Sequence, residues 1–178
     1  MLTMDGVNEN GVAININVVP SDLNHTIGTN PGAKRLCAGI VPRYILDNAT
    51  SAEHAISLLK ERDIFTITLS EFHFMISDSK DSYIVEMSHN KLVVLKQSGT
   101  NETAMSNFHV TNSPYQLNYE VVEGEPGTYG THFTEHPLGI ERYNLAITGL
   151  DKVDGLDSGT YSMVDHMKRI YYKHVNIH

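Results

Sequence analysis

The chain has 178 residues, a formal net charge of −8, 40% hydrophobic and 19% charged residues, a balance that fits one globular domain with a sizeable core. An acidic surplus excludes a protein that works by neutralising nucleic-acid phosphates, and without an uninterrupted run of about 18 apolar residues no membrane-spanning helix is expected. The single cysteine, Cys37, excludes an intrachain disulfide and suits a reducing compartment, so a cytoplasmic location is expected.

Asp5 to Gly11 is a turn cluster, and strict alternation follows it from Ala13 to Val19. Ile14, Ile16 and Val18 point one way and Asn15, Asn17 and Val19 the other, which predicts a half-buried strand with amides on its second face. Starting so close to Met1, that strand is predicted to have no earlier element to pair with. Ser21 to Gly32 is rich in turn formers and reads as a loop. Arg35 to Asn48 is predicted as a helix with a stripe of Leu36, Ile40, Tyr44 and either Val41 or Ile45, bent at Pro42.

Thr50-Ser51-Ala52-Glu53 fits a capping box. It would open a second helix whose apolar face is Ala52, Ala55, Ile56, Leu58 and Leu59, ending near Arg62-Asp63. Phe72 to Ser77, Ser82 to Met87 and Lys91 to Lys96 are short runs with tight spacers, hence an antiparallel meander. A further strand is predicted over Met105 to Thr111, then an irregular stretch from Glu123 to Gly139. Amphipathic helices are predicted at about Ile140 to Leu150 and Tyr161 to Tyr172. Strand, helices, meander and helices together predict a single α+β domain over residues 1–178, with helices packed on a sheet.

Four groups of residues bear chemistry. Cys37 sits inside the first predicted helix, away from any helix N-terminus, and reads as a small core residue rather than an activated thiol. His132-Phe133-Thr134-Glu135-His136 matches a zinc-binding H-x-x-E-H pattern. That pattern needs both histidines on one helical face, and Gly127, Gly130 and Pro137 surround it, so no metal is expected there. His174 and His178 have the same spacing at the chain end. Asn15, Asn17, Asn107 and Asn112 occupy strand positions where asparagine is depleted; they either solvate an exposed face or aim amide N–H groups at a developing oxyanion. Glu141-Arg142-Tyr143 opens a predicted helix, and Arg142 either faces solvent or orients a carboxylate or nucleophile.

Read together, these stretches resemble the choloylglycine hydrolase family: bile salt hydrolases, penicillin V acylases and related linear-amide C–N hydrolases. Asp5 to Pro20 resembles the family's "DGxNEKGL" segment and following strand. Phe72-His73-Phe74-Met75-Ile76-Ser77-Asp78, Tyr83-Ile84-Val85-Glu86 and Lys91-Leu92-Val93-Val94 resemble its "HWMISD…IVVE…KL" meander. Met105-Ser106-Asn107 and Val110-Thr111-Asn112-Ser113-Pro114 both resemble its "LTNSP" strand end, and Glu141-Arg142-Tyr143 resembles its "SRF".

The resemblance implies an N-terminal-nucleophile hydrolase with an αββα sandwich. Its mature first residue is a cysteine whose thiol attacks an amide carbonyl, with its own α-amine as base and no cofactor. Asn17 corresponds to the early oxyanion-hole asparagine, although a gapless match lands on Val18. Asn107 matches the later active-site asparagine by gap length and Asn112 by local motif; both stay open. Arg142 corresponds to the arginine that supports the nucleophile.

The nucleophile and the arginine and aspartate that follow it have no counterpart among the 178 residues, and Cys37 cannot substitute, because thiol and α-amine must belong to one residue. The chain is therefore expected to be a domain truncated at both ends, inactive alone, whose parent acts on a small-molecule amide and not on nucleic acid or membranes. A missing sheet neighbour beside Asp5 to Pro20 would favour homo-oligomers. The alternative is a non-catalytic remnant that binds or oligomerises.

Overall fold

The computed structural model describes residues 3–19, 28–67, 71–88, 90–98, 104–111, 113, 118–124 and 137–150. The first alternating run does form a strand, Ala13–Val19, but it has a partner on each side. Asp5–Val7, expected as part of a turn, is strand β1, and it pairs with β2 (Ala13–Val19) in a hairpin. The absent-neighbour expectation is thus corrected. Asn8 explains why this hairpin closes where it does. Its side-chain oxygen accepts from the backbone N–H of Asn10 and Val12, both at 3.0 Å, and Gly11 supplies the positive φ of 79° that the turn requires.

Lys34–Cys37 is strand β3, not the start of a helix; it pairs in parallel with β4 (Arg62–Phe65), where the second helix was expected to be ending. Tertiary pairing has overridden a helical spacing of apolar residues. A short 3-10 turn over Ala38–Ile40 leads into helix α1 (Val41–Asn48). Pro42 falls in the first turn of α1, where its missing N–H has no partner to lose, so it starts the helix rather than bending it. Val41 and Ile45 are both buried, whereas Ile40 is exposed.

Helix α2 (Ala52–Lys60) buries Ala52, Ala55, Ile56 and Leu59, as its periodicity predicts. Its cap is one residue later than the box suggested: the Ser51 side chain accepts from His54 N–H at 3.0 Å. Asp78 reaches across from the sheet and accepts from Ala52 N–H at 2.8 Å. It also closes its own turn through Lys80 and Asp81 N–H. Those donors, Ala52 first, hold its carboxyl below the usual range despite the opposing effect of partial burial.

The meander is borne out as β5 (Glu71–Ser77), β6 (Ser82–Ser88) and β7 (Lys91–Gln97). A strand that the sequence reading missed, β8 (Tyr119–Glu123), follows on the far edge. The six-stranded sheet runs β1-β2-β5-β6-β7-β8, with each neighbouring pair antiparallel. One face carries Ile14, Ile16, Phe74, Ile76, Tyr83, Val85, Met87 and Val94 against α1 and α2. On the opposite face Ile84 and Leu95 pack with Phe108, Val110 and Tyr143, the last from helix α3 (Pro137–Leu150).

The fold is therefore α+β around one large antiparallel sheet covered on both faces. Helix α3 begins at Pro137, close to the boundary expected for the first late helix, and no helix among the described residues is long and apolar enough to cross a membrane. The helix expected over 161–172 lies outside the described residues.

Gly124 ends β8 with φ of 77°, and a Cβ there would stand 2.3 Å from the Leu92 carbonyl oxygen of β7. Gly124→Ala is expected to cost about 1–3 kcal/mol through strain and overlap, seen as a lower urea midpoint. An unchanged midpoint would mean that β8 is not held this closely to β7.

Candidate active site

Antiparallel register places Asn17 of β2 opposite His73 of β5, His73 opposite Glu86 of β6, and Glu86 opposite Val93 of β7. Cross-strand partners share a face, so an amide, an imidazole and a carboxylate lie in one row across the side of the sheet turned away from α1 and α2. His73 and Glu86 are fully buried there. A carboxylate is tolerated inside a protein only when charge and hydrogen bonds compensate its lost hydration.

Those compensations are present. Glu86 Oε1 accepts from Val110 N–H at 2.5 Å, and its Oε2 accepts from Thr111 N–H at 3.2 Å and from the Thr111 hydroxyl. His73 Nδ1 and His109 Nδ1 each stand 3.7 Å from one of its oxygens. Glu71, also buried, brings Oε2 to 2.9 Å from His109 Nε2. The ring N–H is out of line for a good hydrogen bond, so this contact is an ion pair at close range.

Burial pushes the Glu86 carboxyl up, but its contacts with His109 and His73 outweigh this and hold it far below the usual range. For His109 burial works downward, and Glu71 with Glu86 more than offsets it, holding the ring up at about 9. His73 is lowered from its ordinary value by burial, only partly opposed by Glu86. The pair Glu71–Glu86 is thus bridged by a charged His109, beside a neutral His73.

This network organises the segment 104–111. Met105 to Thr111 was expected to be a strand; it is irregular, because the N–H groups of Val110 and Thr111 go to the Glu86 carboxylate and not to a neighbouring strand. Phe108 packs edge-to-face on Tyr143 of α3, with ring centroids 5.5 Å apart. Gly139 of α3 packs against the Asn107 backbone, where a Cβ would be in van der Waals contact, 3.4 Å from the carbonyl oxygen. Held on both sides, the segment sends the Asn107 side chain to β2, where Nδ2 donates to the Val18 carbonyl at 2.8 Å.

Of the residues singled out in sequence, Asn17 and Asn107 are brought together: Asn107 bonds the peptide unit next to Asn17, and Asn17 itself shares the face with His73. The second face of β2 is therefore partly covered: Asn15 and Asn17 are half-buried and Val19 is fully buried. Arg142 is half-buried on α3 beside Tyr143, one turn beyond Gly139, with contacts of its own. Asn112, His132 to His136, His174 and His178 lie outside the described residues.

Cys37 is half-buried at the end of β3, not in a helix. Its nitrogen is in a peptide bond, so it offers no free amine. No group of three His, Cys, Asp or Glu among the described residues converges as metal ligands; Glu71, His73, Glu86 and His109 are turned on one another.

Sequence reasoning passed over these four residues and Thr111. The signal was an acid and an imidazole inside otherwise apolar strands, in Phe72-His73-Phe74 and Val85-Glu86-Met87. What the arrangement can do chemically is donate from fixed amide N–H groups near the end of β2, since its titratable groups are buried and committed.

A family model of linear amide C-N hydrolases, the choloylglycine hydrolase family, matches residues 1–128. No curated protein sequence matches the chain. Among solved structures, penicillin V acylase from Agrobacterium tumefaciens aligns over 95% of this chain and 52% of its own, with 18% identity and a TM-score of 0.57. A mutant conjugated bile acid hydrolase from Clostridium perfringens aligns over 95% of this chain and 59% of its own, with 18% identity and a TM-score of 0.55. A second variant of that hydrolase aligns over 89% and 55%, with 19% identity and a TM-score of 0.52. The shared fold is an N-terminal-nucleophile hydrolase fold, and the chain spans little more than half the length of these solved structures.

Proposed function

The chain belongs to the choloylglycine hydrolase family of linear amide C–N hydrolases, and on that premise we propose that it forms the oxyanion-stabilising part of an enzyme that hydrolyses a linear amide. The substrate class is a small bile-salt, penicillin V or N-acyl amide. The observation that carries this reading is the Asn107 amide fixed on the Val18 carbonyl, beside Asn17 at the end of β2. A side-chain amide has two N–H bonds. Val18 takes one, and the other is left for the oxygen of a carbonyl under attack.

In this reading a cysteine from outside the 178 residues attacks the amide carbon and its α-amine takes the thiol proton. The carbonyl oxygen gains negative charge and is met by Asn107, with Asn17 beside it, while Arg142 supports the nucleophile from α3. The amine leaves with the proton, and water then releases the acid from the acyl-enzyme. Asn107 takes this role rather than Asn112 on the strength of its bond to Val18, the residue on which the gapless family match falls. Cytoplasmic residence and self-association accompany the proposal, supported by the lone cysteine and by Val7, which is 69% exposed on edge strand β1.

The 178-residue chain alone is expected to release no amine from penicillin V or from glycine- and taurine-conjugated bile salts. Hydrolysis by the isolated chain that disappears in Cys37→Ala would overturn the proposal, because it would place the chemistry at β3.

A further inference from the structure

The strongest feature outside the amides themselves is the buried carboxylate of Glu86, and the geometry points to Glu86 as a positioning residue that sets Asn107 in place by clamping the segment 104–111. The inference rests on the reading of Asn107 as an oxyanion donor, and it adds what aims that donor. Glu86 is itself fully buried. It acts on Val110 N–H, Thr111 N–H and the Thr111 hydroxyl, all from two successive residues.

Three points define how that stretch can lie. Glu86 fixes 110 and 111; the Glu71–His109 contact at 2.9 Å fixes the residue before them; Phe108 on Tyr143 and Gly139 against the Asn107 backbone fix the near end. With these in place, Asn107 Nδ2 donates to the Val18 carbonyl of β2 at 2.8 Å.

An apolar residue at position 86 would satisfy the sheet equally well, since its cross-strand neighbour on β7 is Val93. What it could not do is receive three donors from an irregular segment that has no strand to pair with. A carboxylate has lone pairs for all three donors and leaves them no competing donor of its own. Glutamine has the same shape but turns an NH2 group toward one set of donors. His109 is the counter-charge that lets the carboxylate stay ionised while buried, and so it belongs to the same device.

The test uses the 178-residue chain and its Glu86→Gln and Thr111→Val variants, followed by NMR. In both variants the side-chain NH2 resonances of Asn107 are expected to move toward free-amide positions. The Val110 and Thr111 amides are expected to exchange about tenfold faster or more in Glu86→Gln, and less so in Thr111→Val, while Ile14, Phe74 and Val85 keep their protection.

Unchanged Asn107 resonances in both variants overturn the proposal. So does equal loss of protection at Ile14, Phe74 and Val85 in both, because Glu86 and Thr111 would then hold the fold and not the segment. The readout involves no substrate, so a clamp that behaves as described while Asn107→Ala proves catalytically silent would indict the oxyanion reading alone.

Discussion

Between pH 6.5 and 9 the domain is expected to lose on the order of 3 kcal/mol of unfolding free energy, and His109→Gln is expected to remove most of that loss. His109 is 7% exposed and lies between Glu71 and Glu86. Burial alone would make it give up its proton; the two carboxylates outweigh burial and hold it at about 9, against an ordinary value of 6.5. The folded state therefore keeps a proton that the unfolded chain releases. Stability from this source is whole below 6.5 and fades as the pH rises through 9. The gap between 6.5 and about 9, at about 1.4 kcal/mol per pH unit, gives the magnitude.

The acid side has the opposite sign. Glu86 is held far below its ordinary 4.5, so its contribution is present above that value and is lost as the pH falls below it. His73, lowered by burial, adds to the decline. Below 6.5 the unfolded chain takes up a proton that the folded ring resists. Urea midpoints measured across this range should thus fall on both sides of a maximum near 6.5. In His109→Gln the alkaline limb should flatten, which separates His109 from other groups titrating near pH 8, and the acid limb should shrink with it, because His109 is the first of the contacts that hold Glu86 down. A wild-type curve with no alkaline decline sinks the assignment.

What could be seen in the sequence was whatever depended on one element at a time. The alternation of Ile14 and Ile16, the three runs of the meander and the apolar face of α2 each carry their own period, and each is found where that period put it. What was misread depended on a second element. Arg35 to Cys37 has helical spacing but pairs with β4, and no local pattern announces a parallel partner 28 residues away, as in the match of Leu36 with Ile64.

Met105 to Thr111 looks like a strand because its residues suit one, yet its backbone donors are claimed by Glu86. The candidate site shows the same division. The family resemblance singled out Asn17 and Asn107 as separate amides, but their proximity required the register of β2 with β5 and the path of the 104–111 segment. Glu71, His73, Glu86 and His109 were invisible as a group. A lone polar residue in a strand normally marks an exposed face, and only the register shows that these four face one another under a cover.

In a protein that joins this chain to its nucleophile, Asn107→Ala is expected to lower kcat by about 10²–10³ with KM nearly unchanged, the loss typical of one oxyanion-hole donor. Asn107 does little else in the fold. Its bond to Val18 is a single, half-exposed side-chain hydrogen bond, worth about 0.5–1.5 kcal/mol to folding. The segment around it is held independently by Glu86 and by α3. Removing the amide should therefore leave the fold and the substrate pocket in place while the transition state loses a donor that the ground state scarcely uses.

Asn107→Asp makes the contrast sharper, because it keeps the shape but sets a carboxylate where negative charge develops; kcat should fall at least as far, and acidification should recover part of it. The parallel Asn112→Ala decides between the two asparagines that sequence left open. If Asn112→Ala shows the kcat loss and Asn107→Ala only a lower urea midpoint, then Asn107 is a staple between the segment and β2, and the donor belongs to Asn112. The reverse result places the donor on the residue that the Glu86 clamp aims.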